Sequence, residues 1–200
     1  NSIGPDHRRN VIGPNLYHSL MDASAVARQA RGAFDDAQQT LSTRGTVAAD
    51  FARVQALEYI RAALEAARSE IQAANARDVD EARAGQLSKQ LVARLDLFSK
   101  PGKWDSMIQG VSDVARLPSP LDVCTRATRL ADTAPATATR PAAGALDLYR
   151  MTCPIGVLLC IFEARPEVIV NIASLAIKSG NAAILKGGKE SKHTAQILAR

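Results

Sequence analysis

Two short apolar runs, separated by one helix-length segment, constrain this chain more than any other feature. The runs are residues 155–162 and 182–186, and the segment between them opens at Pro166 and closes at a glycine. A run that is apolar at nearly every position reads as a strand buried on both faces. A proline at the first helical position loses no hydrogen bond, because that amide has no partner within the helix. From Pro166 to Lys178 apolar residues nearly encircle the axis, while Glu167, Asn171, Ser174 and Lys178 recur every three or four positions and share one face. Ser179-Gly180-Asn181 supplies a glycine stop. Two buried strands joined by a helix predict a right-handed βαβ unit in a parallel sheet. Ligands of such sheets gather beyond the carboxyl ends of the strands. The loops 162–165 and 186–190 leave at that edge, which makes them the candidate site.

Composition narrows the class. Two hundred residues, 46% hydrophobic and 22% charged, can hold one sizeable core. No apolar run approaches the roughly 20 residues that span a bilayer, and the opening residues lack the apolar core of a signal peptide. Cys124, Cys153 and Cys160 are odd in number and form no C-x-x-C, which argues against a disulfide framework and for a reducing cytoplasm. The net charge of +5 admits an anionic partner without naming one. Between Arg53 and Arg94 the arginines alternate with Glu58, Glu65, Glu70, Asp78, Asp80 and Glu81, the pattern of a mixed-sign wet face. With 4% aromatic residues there is no basic stacking surface of the kind a nucleic-acid reader needs.

Along the chain, residues 1–44 read as a flexible tail. Val47, Phe51, Val54, Leu57, Leu64 and Ile71 then form the inward stripe of a long helix over 47–76, with Arg53, Glu58, Arg61, Glu65 and Arg68 wet. Further helices are expected over 78–84, stopped by Gly85, over 89–98, and from Trp104 to Val114, with Trp104 as a packing anchor. Residues 123–130 and 146–152 read as a hairpin. The stretch 131–145 between them has no large apolar residue and is expected to be an exposed, mobile loop. The domain plan is therefore a tail at 1–44, a helical part at 45–120, a hairpin at 121–152 and a βαβ unit at 153–200.

Lys186, Gly187, Gly188, Lys189 and Glu190 are the strongest candidates for binding. Glycines let backbone amides approach a ligand, and the helix that follows is expected to present unpaired N–H groups. Lys178, Lys186, Lys189 and Lys192 add cations, so a phosphate or a nucleotide ribose suits the place. The bland alternative is a strand-to-helix turn with solvated lysines, and neither common nucleotide fingerprint is present. Glu163, Ala164, Arg165 and Pro166 form the second candidate: Arg165 could hold a carboxylate bidentately, or pair with Glu163 in a structural role. The three thiols read as structural, Cys160 through burial in its strand. His193 reads as a surface residue, and no metal-ligand spacing occurs.

The blocks Pro154-Ile155-Gly156-Val157, Phe162-Glu163-Ala164-Arg165-Pro166, Lys178-Ser179-Gly180-Asn181 and Ile184 to Glu190 carry a resemblance. In order and spacing they resemble the gamma-glutamyl phosphate reductase family, a branch of the aldehyde dehydrogenase superfamily, with wording nearest its fungal members. Ala74-Asn75-Ala76-Arg77-Asp78, 81–85 and 117–120 extend the likeness, which covers about residues 48–200. It implies an α/β fold: N-terminal helices leading into a partial Rossmann-like parallel sheet, with a β-hairpin oligomerisation arm that carries an insertion at 131–145. It implies NADPH-dependent reduction of L-glutamyl 5-phosphate to glutamate 5-semialdehyde through a cysteine thioester. Lys186 matches the superfamily's ribose-binding lysine, Gly187 to Glu190 the loop beside it, and Glu163 to Pro166 a block near the substrate. A homo-oligomer is implied too. None of the three cysteines stands in the catalytic motif, whose cysteine the family carries beyond the position of Arg200. The resemblance thus implies an N-terminal fragment, inactive by itself. The alternatives are another aldehyde or acyl-phosphate dehydrogenase, and a non-catalytic nucleotide-binding or oligomer-partner module.

Overall fold

The computed structural model describes residues 22–137, 139, 142 and 144–200. In chain order the elements are α1 (Ala23–Ser42), α2 (Thr46–Ala66), α3 (Arg68–Ala84), α4 (Lys89–Leu95), α5 (Lys103–Arg116), β1 (Cys124–Ala131), β2 (Leu146–Met151), β3 (Val157–Ile161), α6 (Glu167–Lys178), β4 (Ala182–Lys186) and α7 (Lys192–Leu198). A 3-10 turn, Lys189–Ser191, joins β4 to α7. The fold is α/β.

The βαβ unit forms as its sequence predicts. β3 and β4 are parallel neighbours, paired from Val157 opposite Ala182 to Ile161 opposite Lys186. Gly180, at φ +66, makes the turn between α6 and β4. A side chain there would meet Leu121 at 2.8 Å, so the position needs glycine for space as well as for backbone conformation. Asn181 secures the entry into the unit by accepting the Gly156 amide at 2.8 Å. β1 and β2 form the antiparallel hairpin, with Arg129 and Asp147 opposite one another and ion-paired.

The core lies where α2, α5, α6 and α7 meet. Leu57, Met107, Val111, Ile169, Val170 and Ala195 are buried within one cluster. Trp104 anchors this core: it is 5% exposed, stacks on Phe98 at 5.1 Å between centroids, and has the Arg68 guanidinium over its ring. A smaller cluster unites Val79, Ala82 and Leu95 with Ala164.

Four expectations are corrected. Residues 23–42, read as part of a tail, are α1; residues 1–21 lie outside the described residues. Asp22 caps α1 by accepting the Ser24 amide, and a half-buried row at Val26, Ala30, Phe34, Gln38 and Leu41 faces the body of the protein. Gln38 donates to the Gly180 carbonyl at 2.9 Å, fixing α1 against the turn into β4. The row recurs at helical spacing more clearly than that of α2, so the helix was legible in the sequence. Second, the helix expected over 47–76 is interrupted at Ala67, and 78–84 belongs to α3. The two halves pack on different partners, α2 on α5 and α6, α3 on α7.

Third, the inward stripe holds at Leu57, Leu64 and Ile71 but not at its start. Val47 and Phe51 are 85% and 61% exposed, while Arg53 is buried beneath the Gly180 turn. Burial pushes the Arg53 guanidinium below its ordinary value, with Asp50 and Asp122 opposing the shift. Fourth, β3 is not covered on both faces: Leu159 and Ile161 remain largely exposed. Among the described residues this sheet has two strands, so β3 lacks the flanking cover that its composition anticipates.

Candidate functional site

Parallel pairing decides where the two candidate loops stand. With Ile161 opposite Lys186, both strands end at one edge, and the Phe162 amide extends the ladder by one bond to the Lys186 carbonyl at 3.1 Å. The chain leaves β3 through Glu163-Ala164-Arg165-Pro166 and leaves β4 through Gly187-Gly188-Lys189-Glu190. The two candidate groups therefore share one rim, as the βαβ reading requires.

At the first corner Ala164 is fully buried in the left-handed conformation, at φ +50, among Val79, Ala82 and Leu95. This kink leaves Glu163 and Arg165 exposed on either side of it, and Pro166 is buried at the start of α6. At the second corner Lys186 and Lys189 are exposed. The glycines between them serve the protein's own packing. A β-carbon on Gly187 would lie 3.2 Å from the Phe162 ring, and one on Gly188 would fall 2.1 Å from the Glu190 carboxylate. Glu190 is turned inward, its Oε1 accepting the Ala164 amide at 2.5 Å. The lysines face solvent, and the acid of the loop is bound to the other corner.

Two of the first amides of the helix after this loop, those of His193 and Thr194, are already taken. Asp78 on α3 is 1% exposed. Its Oδ1 accepts the His193 amide at 2.9 Å, and its Oδ2 accepts the Thr194 amide at 2.7 Å and the Thr194 hydroxyl at 2.6 Å. This buried carboxylate caps α7 and answers its positive end, so an anion at the rim would be met by lysine side chains. One turn earlier Asn75, equally buried, donates to the Leu95 carbonyl and to Thr194 Oγ1 and accepts the Leu97 amide at 2.9 Å. Together Asn75 and Asp78 fasten α3, the segment after α4 and α7 into one block behind the Ala164 corner. His193, expected on the surface, is half-buried, with Nε2 3.0 Å from Glu81.

Lys178 is likewise not a cation of the site. It lies at the far end of α6, 3% exposed, bonded to both Asp50 oxygens at 3.0 and 3.2 Å and to the Ala115 carbonyl. At the near end of α6, Glu167 stands 3.6 Å from the Lys103 ammonium. Burial holds Lys103 below its ordinary value despite Glu167. A cleft of about 530 Å³, lined by Arg83, Leu87, Lys89, Asp96, Ser99 and Lys100 among others, opens beside α4 and includes none of the rim residues. Cys124 and Cys153 are exposed and Cys160 is half-buried in β3; none belongs to either rim loop. Among the described residues no cluster of metal-ligating side chains occurs, and no helix is long and apolar enough to cross a membrane.

Sequence reasoning missed Asn75 and Asp78 as individuals, assigning Asp78 to a wet face. The signal was their place on the inward row Ile71, Ala74, Asn75, Asp78, Val79, Ala82, where a polar residue must find a partner.

No family model matches the chain. It is 48% identical over 175 residues to a Schizosaccharomyces pombe protein named "Probable gamma-glutamyl phosphate reductase", an alignment covering 86% of this chain and 34% of that protein. It is 41% identical over 181 residues to the gamma-glutamyl phosphate reductase of Saccharomyces cerevisiae, covering 90% and 35%. The crystal structure of the yeast reductase superposes with a TM-score of 0.73 at 42% identity, over 89% of this chain and 41% of that one. The chain belongs to the gamma-glutamyl phosphate reductase family. The Thermotoga maritima reductase, at 28% identity, retains the fold with a TM-score of 0.68 over 86% of this chain. The chain spans about a third of the length of the curated gamma-glutamyl phosphate reductases it matches.

Proposed function

We propose that this chain supplies the N-terminal part of an NADPH-dependent reductase that converts L-glutamyl 5-phosphate to L-glutamate 5-semialdehyde in proline biosynthesis. The observation that carries the reading is the shared rim: parallel β3 and β4 deliver the arginine corner and the lysine loop side by side, joined by the Phe162–Lys186 and Ala164–Glu190 hydrogen bonds. The names of the relatives supply the reaction.

The residues present fit a phosphorylated dinucleotide. Lys186 and Lys189 are exposed cations at the rim, and Glu190, the nearest acid of that loop, is tied away to the Ala164 amide. The charge left facing outward is positive, which favours a ribose phosphate. Because Asp78 already holds the His193 and Thr194 amides of α7, lysine side chains more than that helix terminus would hold the nucleotide in this part of the chain. Lys186, with Gly187, Gly188 and Lys189, would bind the cofactor, whose chemistry is hydride transfer. On the substrate side Arg165 would orient an anionic group bidentately, and Glu163, Ala164 and Pro166 would shape the corner around it. The nucleophile for a thioester step is not one of Cys124, Cys153 or Cys160, so this segment by itself is inactive in the proposal. The β1–β2 hairpin would serve as the arm of a homo-oligomer, and the enzyme would work in the cytoplasm.

The test is Lys186→Ala in a full-length reductase carrying this segment. Losing a charge-assisted contact should weaken NADPH binding by roughly 1.5–3 kcal/mol, about tenfold or more in Kd. An unchanged Kd would remove Lys186 from the cofactor site.

A further inference from the structure

Glu190 has a place that a cofactor contact would not require. Its carboxylate reaches from the turn after β4 to the amide of Ala164, 26 residues earlier. That amide belongs to a fully buried residue held at φ +50, a conformation that alanine rarely adopts without support. Gly188 lies under the same carboxylate. Its backbone, at φ −77 and ψ 167, suits any residue, yet a β-carbon would fall 2.1 Å from one carboxylate oxygen and 2.2 Å from the other. Glycine is thus needed at 188 for the seat of Glu190 and not for the backbone. Ser191, fully buried, closes the turn by donating to the Gly188 carbonyl at 3.3 Å.

We propose that Glu190 is a positioning residue: seated on Gly188 and bonded to the Ala164 amide, it clamps the E-A-R-P corner to the lysine loop. This deepens the functional reading above and rests on it, since it takes Arg165 as the substrate-side group and Lys186 and Lys189 as the cofactor-side groups. The clamp holds the two sets at a fixed offset without touching either ligand. A displacement of about 1 Å between such sets can cost on the order of a hundredfold in rate.

Hydrogen exchange and kinetics on a full-length reductase carrying this segment test the clamp. Glu190→Ala should speed exchange at the Ala164 amide about tenfold or more, lower kcat/KM for glutamyl phosphate about tenfold to a hundredfold, and leave the NADPH Kd unchanged. Glu190→Gln keeps a carbonyl acceptor and should recover most of the protection. Gly188→Ala is compatible with the backbone but displaces the carboxylate; it should reproduce the faster Ala164 exchange of Glu190→Ala, and the double variant should exchange no faster than either single one. A raised NADPH Kd in Glu190→Ala with Ala164 exchange unchanged would make Glu190 a cofactor ligand and overturn the proposal. Additive effects of the Gly188 and Glu190 substitutions, or a glutamine no better than alanine, would overturn it as well. The exchange readout needs no turnover, so its failure is distinguishable from that of the reductase assignment.

Discussion

Replacing Asp78 with alanine should remove about 3–5 kcal/mol of folding stability. The magnitude follows from what the carboxylate holds: the amides of His193 and Thr194 and the hydroxyl of Thr194, all within 2.9 Å. Thr194 is fully buried. Without Asp78 its amide has no water to turn to, and an unpaired buried donor costs roughly 1–3 kcal/mol. Loss of a helix cap contributes about 1 kcal/mol. The Thr194 hydroxyl loses its acceptor as well, since Asn75 only donates to it, which places the total near the middle of the range. Asp78→Asn retains one acceptor but turns an NH2 toward a donor, and should cost about 2 kcal/mol. Trp104 is the single tryptophan and is 5% exposed, so urea unfolding can be followed by its fluorescence. Asp80→Ala on the same helix is the control: its side chain is 76% exposed, and the change should stay within about 0.5 kcal/mol. An Asp78→Ala loss below about 1 kcal/mol, or one equal to the control, would refute the capping argument.

The Asp50–Lys178 pair gives a second test. Asp50→Ala leaves a buried ammonium with only the Ala115 carbonyl and should cost about 3–5 kcal/mol, whereas adding Lys178→Met should recover much of it. A double variant as unstable as Asp50→Ala in urea would show that the stranded charge is not the cause. Asp96 supplies a pH test. Burial acts to raise this carboxyl, but the Ser99 hydroxyl and amide, the Phe98 amide and Arg83 outweigh it and hold it below the ordinary 3.8. Its contribution to stability is therefore present in full above pH 3.8 and is lost as pH falls through the lower folded value. Asp96→Asn should flatten the acid side of the stability profile; an unchanged slope below that pH would remove Asp96 as its source.

Local signals in the chain were sufficient where one element decides its own conformation. Pro154, Pro166 and Gly180 punctuate β3, α6 and β4, and Gly85 and Gly102 mark the end of α3 and the start of α5. The blocks from Pro154 to Glu190 were enough to indicate the family, and two parallel strands were enough to bring residues 163–166 and 186–190 to one rim. Which lysines face outward was not legible. Lys178 and Lys186 look alike in sequence, yet one is 3% exposed beside Asp50 and the other stands at the end of β4.

The order of the four strands and of α5 and α6, and the edge at which the candidate loops emerge, were determined by sequence alone, because periodicity and glycine or proline punctuation act over a few residues. The break at Ala67 was not, and α1 was missed although its spacing is legible. Only the tertiary structure decided that Asp78 caps a helix 115 positions away, that Glu190 turns inward to Ala164, and that Arg53 is buried while Phe51 is not. The reason is physical. A buried polar group needs a partner, and the partner's place is set by how distant segments pack, which no local pattern in the chain encodes.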